Sequence, residues 1–138
     1  MIERLRNYAI PNYEPRFQYS NVSLLDLDTV SPTARTLKKL RAEGWACDIV
    51  ERWIGHACIR RDLFGFADVL AITKDQTLAV QCTTAANLSA RLDKIRNSEQ
   101  AKLWETPDHR RIEVHAWGIR GSTGQRKTWQ CNVIPVEF

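Results

Sequence analysis

The chain has 138 residues, 43% of them hydrophobic and 26% charged, with a formal net charge of +4. That length sets a single domain with a sizeable core, and no apolar run in it is long enough to span a membrane. The mild positive balance is compatible with an anionic partner such as nucleic acid but does not require one. Four cysteines (Cys47, Cys58, Cys82 and Cys131) are dispersed without a Cys-x-x-Cys pair, which argues against a zinc ribbon or a thioredoxin-type motif. Cys47, Cys82 and Cys131 lie in apolar segments and read as small buried hydrophobes. The opening Met1-Ile2-Glu3-Arg4-Leu5-Arg6 has no apolar core of a signal peptide, so a cytoplasmic protein with reduced thiols is expected.

Residues 1–30 differ from the rest. Pro11 and Pro15 bracket Tyr13, and Tyr8, Phe17 and Tyr19 add aromatics. Proline disfavours helix at and before its position, so an extended arm is expected, packed on its own domain or on a second subunit of a homodimer. Residues 31–138 then form one domain. Ser31-Pro32 opens a helix as cap and first helical residue. Ala34, Leu37 and Leu40 supply its apolar stripe, and Gly44 closes it. Trp45–Ile54 reads as one strand, with Trp45, Cys47, Ile49 and Glu51 on one face. Glu51 either points toward the following strands or ends this one in water. Gly55-His56-Ala57 is a turn, and Asp62 either caps the next turn or joins a site.

The most informative stretch is Arg60–Thr84. Two apolar segments, Phe66–Ile72 and Leu78–Thr83, flank a polar turn over Thr73–Thr77, which is a hairpin by composition and length. Asp68 interrupts the first segment and Gln81 the second. A buried carboxylate without a partner is costly, so two polar intrusions on neighbouring strands point to a site; the alternative is an edge hairpin whose Asp and Gln face water. Beyond Thr84 the period changes. Leu88, Leu92 and Ile95 form an apolar helical stripe beside a polar one of Asn87, Arg91 and Lys94, with Thr83 or Thr84 expected as the cap. Ser98–Glu105 is a second short helix stopped by Pro107. Arg111–Arg120 alternates as a strand, and Thr128–Phe138 returns as another, with Pro135 marking an edge. The expected fold class is α/β with a mixed sheet, in the order α-β-β-β-α-β(-β). The helix after the hairpin permits a crossover to a parallel strand.

Gly65-Phe66-Ala67-Asp68 followed across a hairpin by Val80-Gln81-Cys82-Thr83 resembles the core of the PD-(D/E)XK nuclease superfamily, which includes Holliday-junction resolvases and Mrr-type restriction endonucleases. Gln81 matches the Mrr-type variant, whereas Thr83 stands where the family has lysine. The resemblance implies a three-layer αβα, restriction-endonuclease-like core. It also implies Mg²⁺ or Mn²⁺ held by Asp68, Gln81 and the backbone carbonyl of Cys82, with Glu51 as an added ligand. On that pattern the catalytic set is Asp68, Gln81, Thr83 and Arg91, the last as substitute cation, and the substrate is DNA. Lys94, about three turns along the helix, is the less favoured cation. Two functions stay open: a divergent metal-dependent DNA nuclease, or a relative that keeps the fold to bind nucleic acid or protein without catalysis.

Overall fold

The computed structural model describes residues 30–138; the arm expected over residues 1–30, and a dimer contact through it, lie outside the described residues apart from Val30. Helix α1 (Pro32–Ala42) starts as its sequence requires. Ser31 is extended, and its Oγ accepts from the Ala34 N–H at 3.1 Å. The helix ends at Gly44, whose φ of 92° is the left-handed conformation glycine adopts without strain. There the Trp45 N–H donates to the Leu40 carbonyl and the Gly44 N–H to that of Arg41, closing the last turn.

Strands β1 (Ala46–Ile49), β2 (Arg52–Ile54), β3 (Ile59–Arg61), β4 (Val69–Ile72) and β5 (Thr77–Thr84) follow. Helices α2 (Leu88–Arg96) and α3 (Glu99–Trp104) lead to strands β6 (Arg110–Arg120) and β7 (Thr128–Val136). Five strands make one mixed sheet in the order β1-β4-β5-β6-β7. β5 and β6 run parallel, joined by the α2–α3 crossover, and the other pairs are antiparallel. The hairpin between β4 and β5 turns over residues 73–76, with the Thr73 N–H donating to the Gln76 carbonyl at 2.9 Å. Pro135 sits in β7, whose one partner among the described residues is β6, so its missing N–H costs no ladder bond on the other side.

The single strand expected over Trp45–Ile54 is in fact two. The Val50 and Glu51 N–H groups both donate to the Asp68 carbonyl, at 2.9 and 3.4 Å. Two residues opposing one is a β-bulge, which breaks the ladder and rotates the chain beyond it. β1 therefore stops at Ile49, and β2 pairs with β3 as a separate two-stranded ribbon.

The sheet has a core on each face. On one, α1 places Leu37 and Leu40 on Cys47, Val69, Ala71, Leu78, Val80 and Cys82. On the other, Phe66, Ala67, Ala79, Ile112, Val114 and Val136 pack with Ile95 of α2 and Ala101 of α3. Leu88 and Leu92 complete the α2 stripe there. A half-buried polar tie crosses the first layer, the Trp117 Nε1–H donating to Thr36 Oγ1 at 3.0 Å. Thr36→Val keeps the shape and leaves the indole N–H without its acceptor, so urea unfolding should show a loss of about 1–3 kcal/mol.

Candidate metal centre

Asp68 lies one residue before β4, where its N–H still donates to the Val80 carbonyl at 2.9 Å. Its neighbour Val69 points to the α1 face, so alternation turns Asp68 to the α2 face, the same as Gln81. Asp68 Oδ2 accepts from Gln81 Nε2 at 2.5 Å and from the Cys82 backbone N–H at 2.8 Å. The expectation that the two polar intrusions meet on one side of the hairpin is therefore met, and neither faces water: Asp68 is 4% and Gln81 2% exposed.

Two further carboxylates complete a cluster. One oxygen from each of Glu51, Asp62 and Asp68 lies within 4.8 Å of the others. Simple alternation places Glu51 on the Ile49 side of the strand, and the bulge at Val50–Glu51 turns it to the Asp68 side instead. Asp62 is brought in by a tight loop closed by the Leu63–Ala67 bridge. Its backbone carbonyl accepts from the Gly65 N–H at 3.2 Å, and its side chain joins the cluster, the second of the two roles the sequence left open.

Two cations face these anions. Arg60 Nη1 stands 3.2 Å from Glu51 and Lys94 Nζ 3.3 Å from Asp62. Asp68 has no such partner among the described residues. Burial drives its pKa up; the Cys82 N–H opposes this, and Asp62 and Glu51 add to the rise, leaving it at about 8. Metal-free, Asp68 thus keeps its proton near neutrality. Gln81 Oε1 is also sealed from solvent without a hydrogen-bond donor.

The expected catalytic set is placed unevenly. Asp68 and Gln81 are joined, and Thr83 is buried two residues further along the same face of β5. Arg91 is half-buried on α2 and makes no ion pair with a described carboxylate, whereas Lys94 does. The cation seen at the carboxylates is therefore Lys94, the further of the two along the helix. Neither Thr83 nor Thr84 caps α2: β5 runs through Thr84, a 3-10 turn at Ala85–Asn87 follows, and Asn87 precedes the helix. Lys94 then lies six residues from the start of α2, about 9 Å at ~1.5 Å per residue, close enough for its side chain to reach back.

A second polar group lies on the opposite, α1 face of the sheet. Glu113 accepts from Arg111 at 2.8 Å and contacts His115 Nε2 at 2.9 Å. Burial raises the Glu113 pKa, but His115 and Arg111 outweigh it and hold it below its ordinary value. The sheet separates this group from the carboxylate cluster.

No protein-family model, no curated protein and no solved structure matches the chain. Among the described residues, no helix is long and apolar enough to cross a membrane.

Proposed function

We propose that this chain is a divergent metal-dependent DNA nuclease of the PD-(D/E)XK type, hydrolysing phosphodiesters at the Glu51–Asp62–Asp68 cluster. The carrying observation is the third carboxylate: Arg60 and Lys94 stand against Glu51 and Asp62, whereas Asp68 has no cation among the described residues and holds a proton near neutrality, a place a divalent cation would take. Hard divalent cations favour such a set of oxygens, and the donorless Gln81 Oε1 beside it is a further neutral oxygen. The elements of the five-stranded sheet run α1, β1, β4, β5, α2, α3, β6, β7, which supports the nuclease-like order once β2–β3 is treated as an insertion.

On this reading Glu51, Asp62 and Asp68 hold Mg²⁺ or Mn²⁺, while Gln81 and the Cys82 N–H fix the orientation of Asp68. The cation supplies Lewis acidity toward a phosphate oxygen and lowers the pKa of the attacking water. Lys94 takes the place that Thr83 leaves neutral, setting a positive charge beside developing negative charge on the phosphate. Cys82 contributes through its N–H to Asp68, in addition to the carbonyl the resemblance implies.

The test is cleavage of plasmid, linear and branched DNA with Mg²⁺, Mn²⁺ or EDTA. Metal-dependent cleavage is expected, lost in Asp68→Asn and lowered at least about tenfold, or ~1.4 kcal/mol of barrier, in Lys94→Ala. Arg91→Ala should have the smaller effect. If wild type cuts no DNA with either metal and Thr83→Lys does not restore cutting, catalysis is ruled out. The binding-module reading, favoured by the neutral Thr83, then stands.

A further inference from the structure

The β2–β3 ribbon is attached directly to the cluster. Glu51 is the residue before β2 and Asp62 the residue after β3, so both of its ends carry a carboxylate ligand. Its composition is unusual for a small exposed hairpin. Arg52 stands directly opposite Arg61, and Trp53 opposite Arg60. Like charges directly across an antiparallel pair destabilise it, and neither Arg52 nor Arg61 has an ion-pair partner among the described residues. Opposed residues share a face, so Trp53 lies on the side of Arg60, whose guanidinium reaches Glu51. That face is continuous with the cluster, and Trp53 is 60% exposed on it.

A second, independent feature lies at the other end. Phe64, two residues beyond Asp62, has a φ of 53°, and Gly65 follows at 78°. The Phe66 N–H donates to the Leu63 carbonyl at 3.2 Å across them, giving a tight turn with positive φ at both central residues. Asn, Asp or Gly suits the first of these positions. A phenylalanine there is strained, and it is 56% exposed, so burial does not offset the strain. Isolated exposed aromatics are ordinary. Two of them, each two residues from a cluster carboxylate, with Arg60 directly across from Trp53, suit a ligand that is both flat and anionic.

We propose that the ribbon takes an unpaired nucleic-acid strand, with Trp53 stacking on a base and Arg60, on the same face, meeting a phosphate, and leads it to the carboxylate cluster. The inference deepens the nuclease reading and rests on it for the purpose of the ribbon. An unpaired strand fits better than a duplex because its base faces are open to an indole, whereas duplex stacking hides them. Arg60 joins both functions, contacting Glu51 on one side and lying across from Trp53 on the other. Phe64 offers a second stacking surface beyond the cluster.

The experiment is fluorescence anisotropy in EDTA with a labelled oligothymidylate and a duplex of equal length. EDTA keeps binding separate from any metal-dependent step. The single strand is expected to bind more tightly, Trp53→Ala to weaken it about tenfold, and Trp53→Phe to restore most of the loss. Arg60→Ala should lower the salt slope by about 0.7, the value per phosphate contact on a single strand, and Arg52→Ala with Arg61→Ala, on the opposite face, should change it less. Equal affinity for duplex and single strand with no effect of Trp53→Ala overturns the inference. So does absence of binding at low salt, which points to a protein partner. Strand binding that depends on Trp53, without cleavage in Mg²⁺ or Mn²⁺, supports the ribbon and defeats the nuclease reading. Cleavage that is indifferent to Trp53 and to Arg60 does the reverse.

Discussion

Asp68→Asn is expected to stabilise the metal-free protein above pH 8, on the order of 5 kcal/mol, and to change it little near pH 4. The Asp68 carboxyl titrates near 3.8 when free and at about 8 in the folded protein, driven chiefly by burial. The folded state therefore holds this proton more tightly than the unfolded chain. Its contribution is fully present below the free pKa and is lost as pH rises through the folded one, at about 1.4 kcal/mol per pH unit across that window. Asparagine keeps an oxygen to accept from Gln81 Nε2 and the Cys82 N–H, and offers an N–H toward Glu51 and Asp62 in place of a charge. Chemical denaturation in EDTA from pH 4 to 9 measures the difference directly. Parallel curves for wild type and variant would remove the buried-proton account. Added Mg²⁺ or Mn²⁺ should raise the wild-type midpoint most at high pH and leave Asp68→Asn unmoved, because a ligand bound only by the folded state stabilises by mass action.

Phe66→Ala should lower stability by about 3–5 kcal/mol, the usual cost of truncating a fully buried phenylalanine. Phe66 is 1% exposed and packs among Ala79, Ile95, Ile112 and Val114 beneath α2. It also lies between Asp62 and Asp68, on the loop that carries both. Losing that anchor should weaken Mn²⁺ binding as well as folding, readable by calorimetry well below the unfolding midpoint. Phe66→Leu should recover most of both losses. A Phe66→Ala protein that unfolds as wild type does, or that keeps full metal affinity, would show that the loop is held elsewhere.

Much of the frame follows from local chemistry alone. Ser31 and Gly44 bound α1 because a cap hydroxyl and a positive-φ residue act over one turn of chain. The β4–β5 hairpin, the Leu88/Leu92/Ile95 stripe, the alternation of β6 and the edge position of Pro135 are likewise written in period and turn composition. The pairing of Asp68 with Gln81 was legible for the same reason, since alternation on two adjacent strands sets the side from which each projects.

The rest of the site was decided only by tertiary structure. Alternation counts residues, and a bulge adds one, so Glu51 leaves the Ile49 side it would otherwise share and meets Asp68. The ion pair of Lys94 with Asp62 was hidden for a related reason. A 3-10 turn after Thr84 delays the start of α2, which brings Lys94 rather than Arg91 to the carboxylates, and no local propensity marks that delay. The opposition of Arg52 and Arg61, and of Trp53 and Arg60, exists only because β2 leaves the main sheet to pair with β3. Composition and period thus determined which elements form and which faces are apolar, because those follow from neighbours within a turn or a strand. Which charged groups converge depended on where the ladder slips and where the helix begins, and those are properties of how distant segments pair.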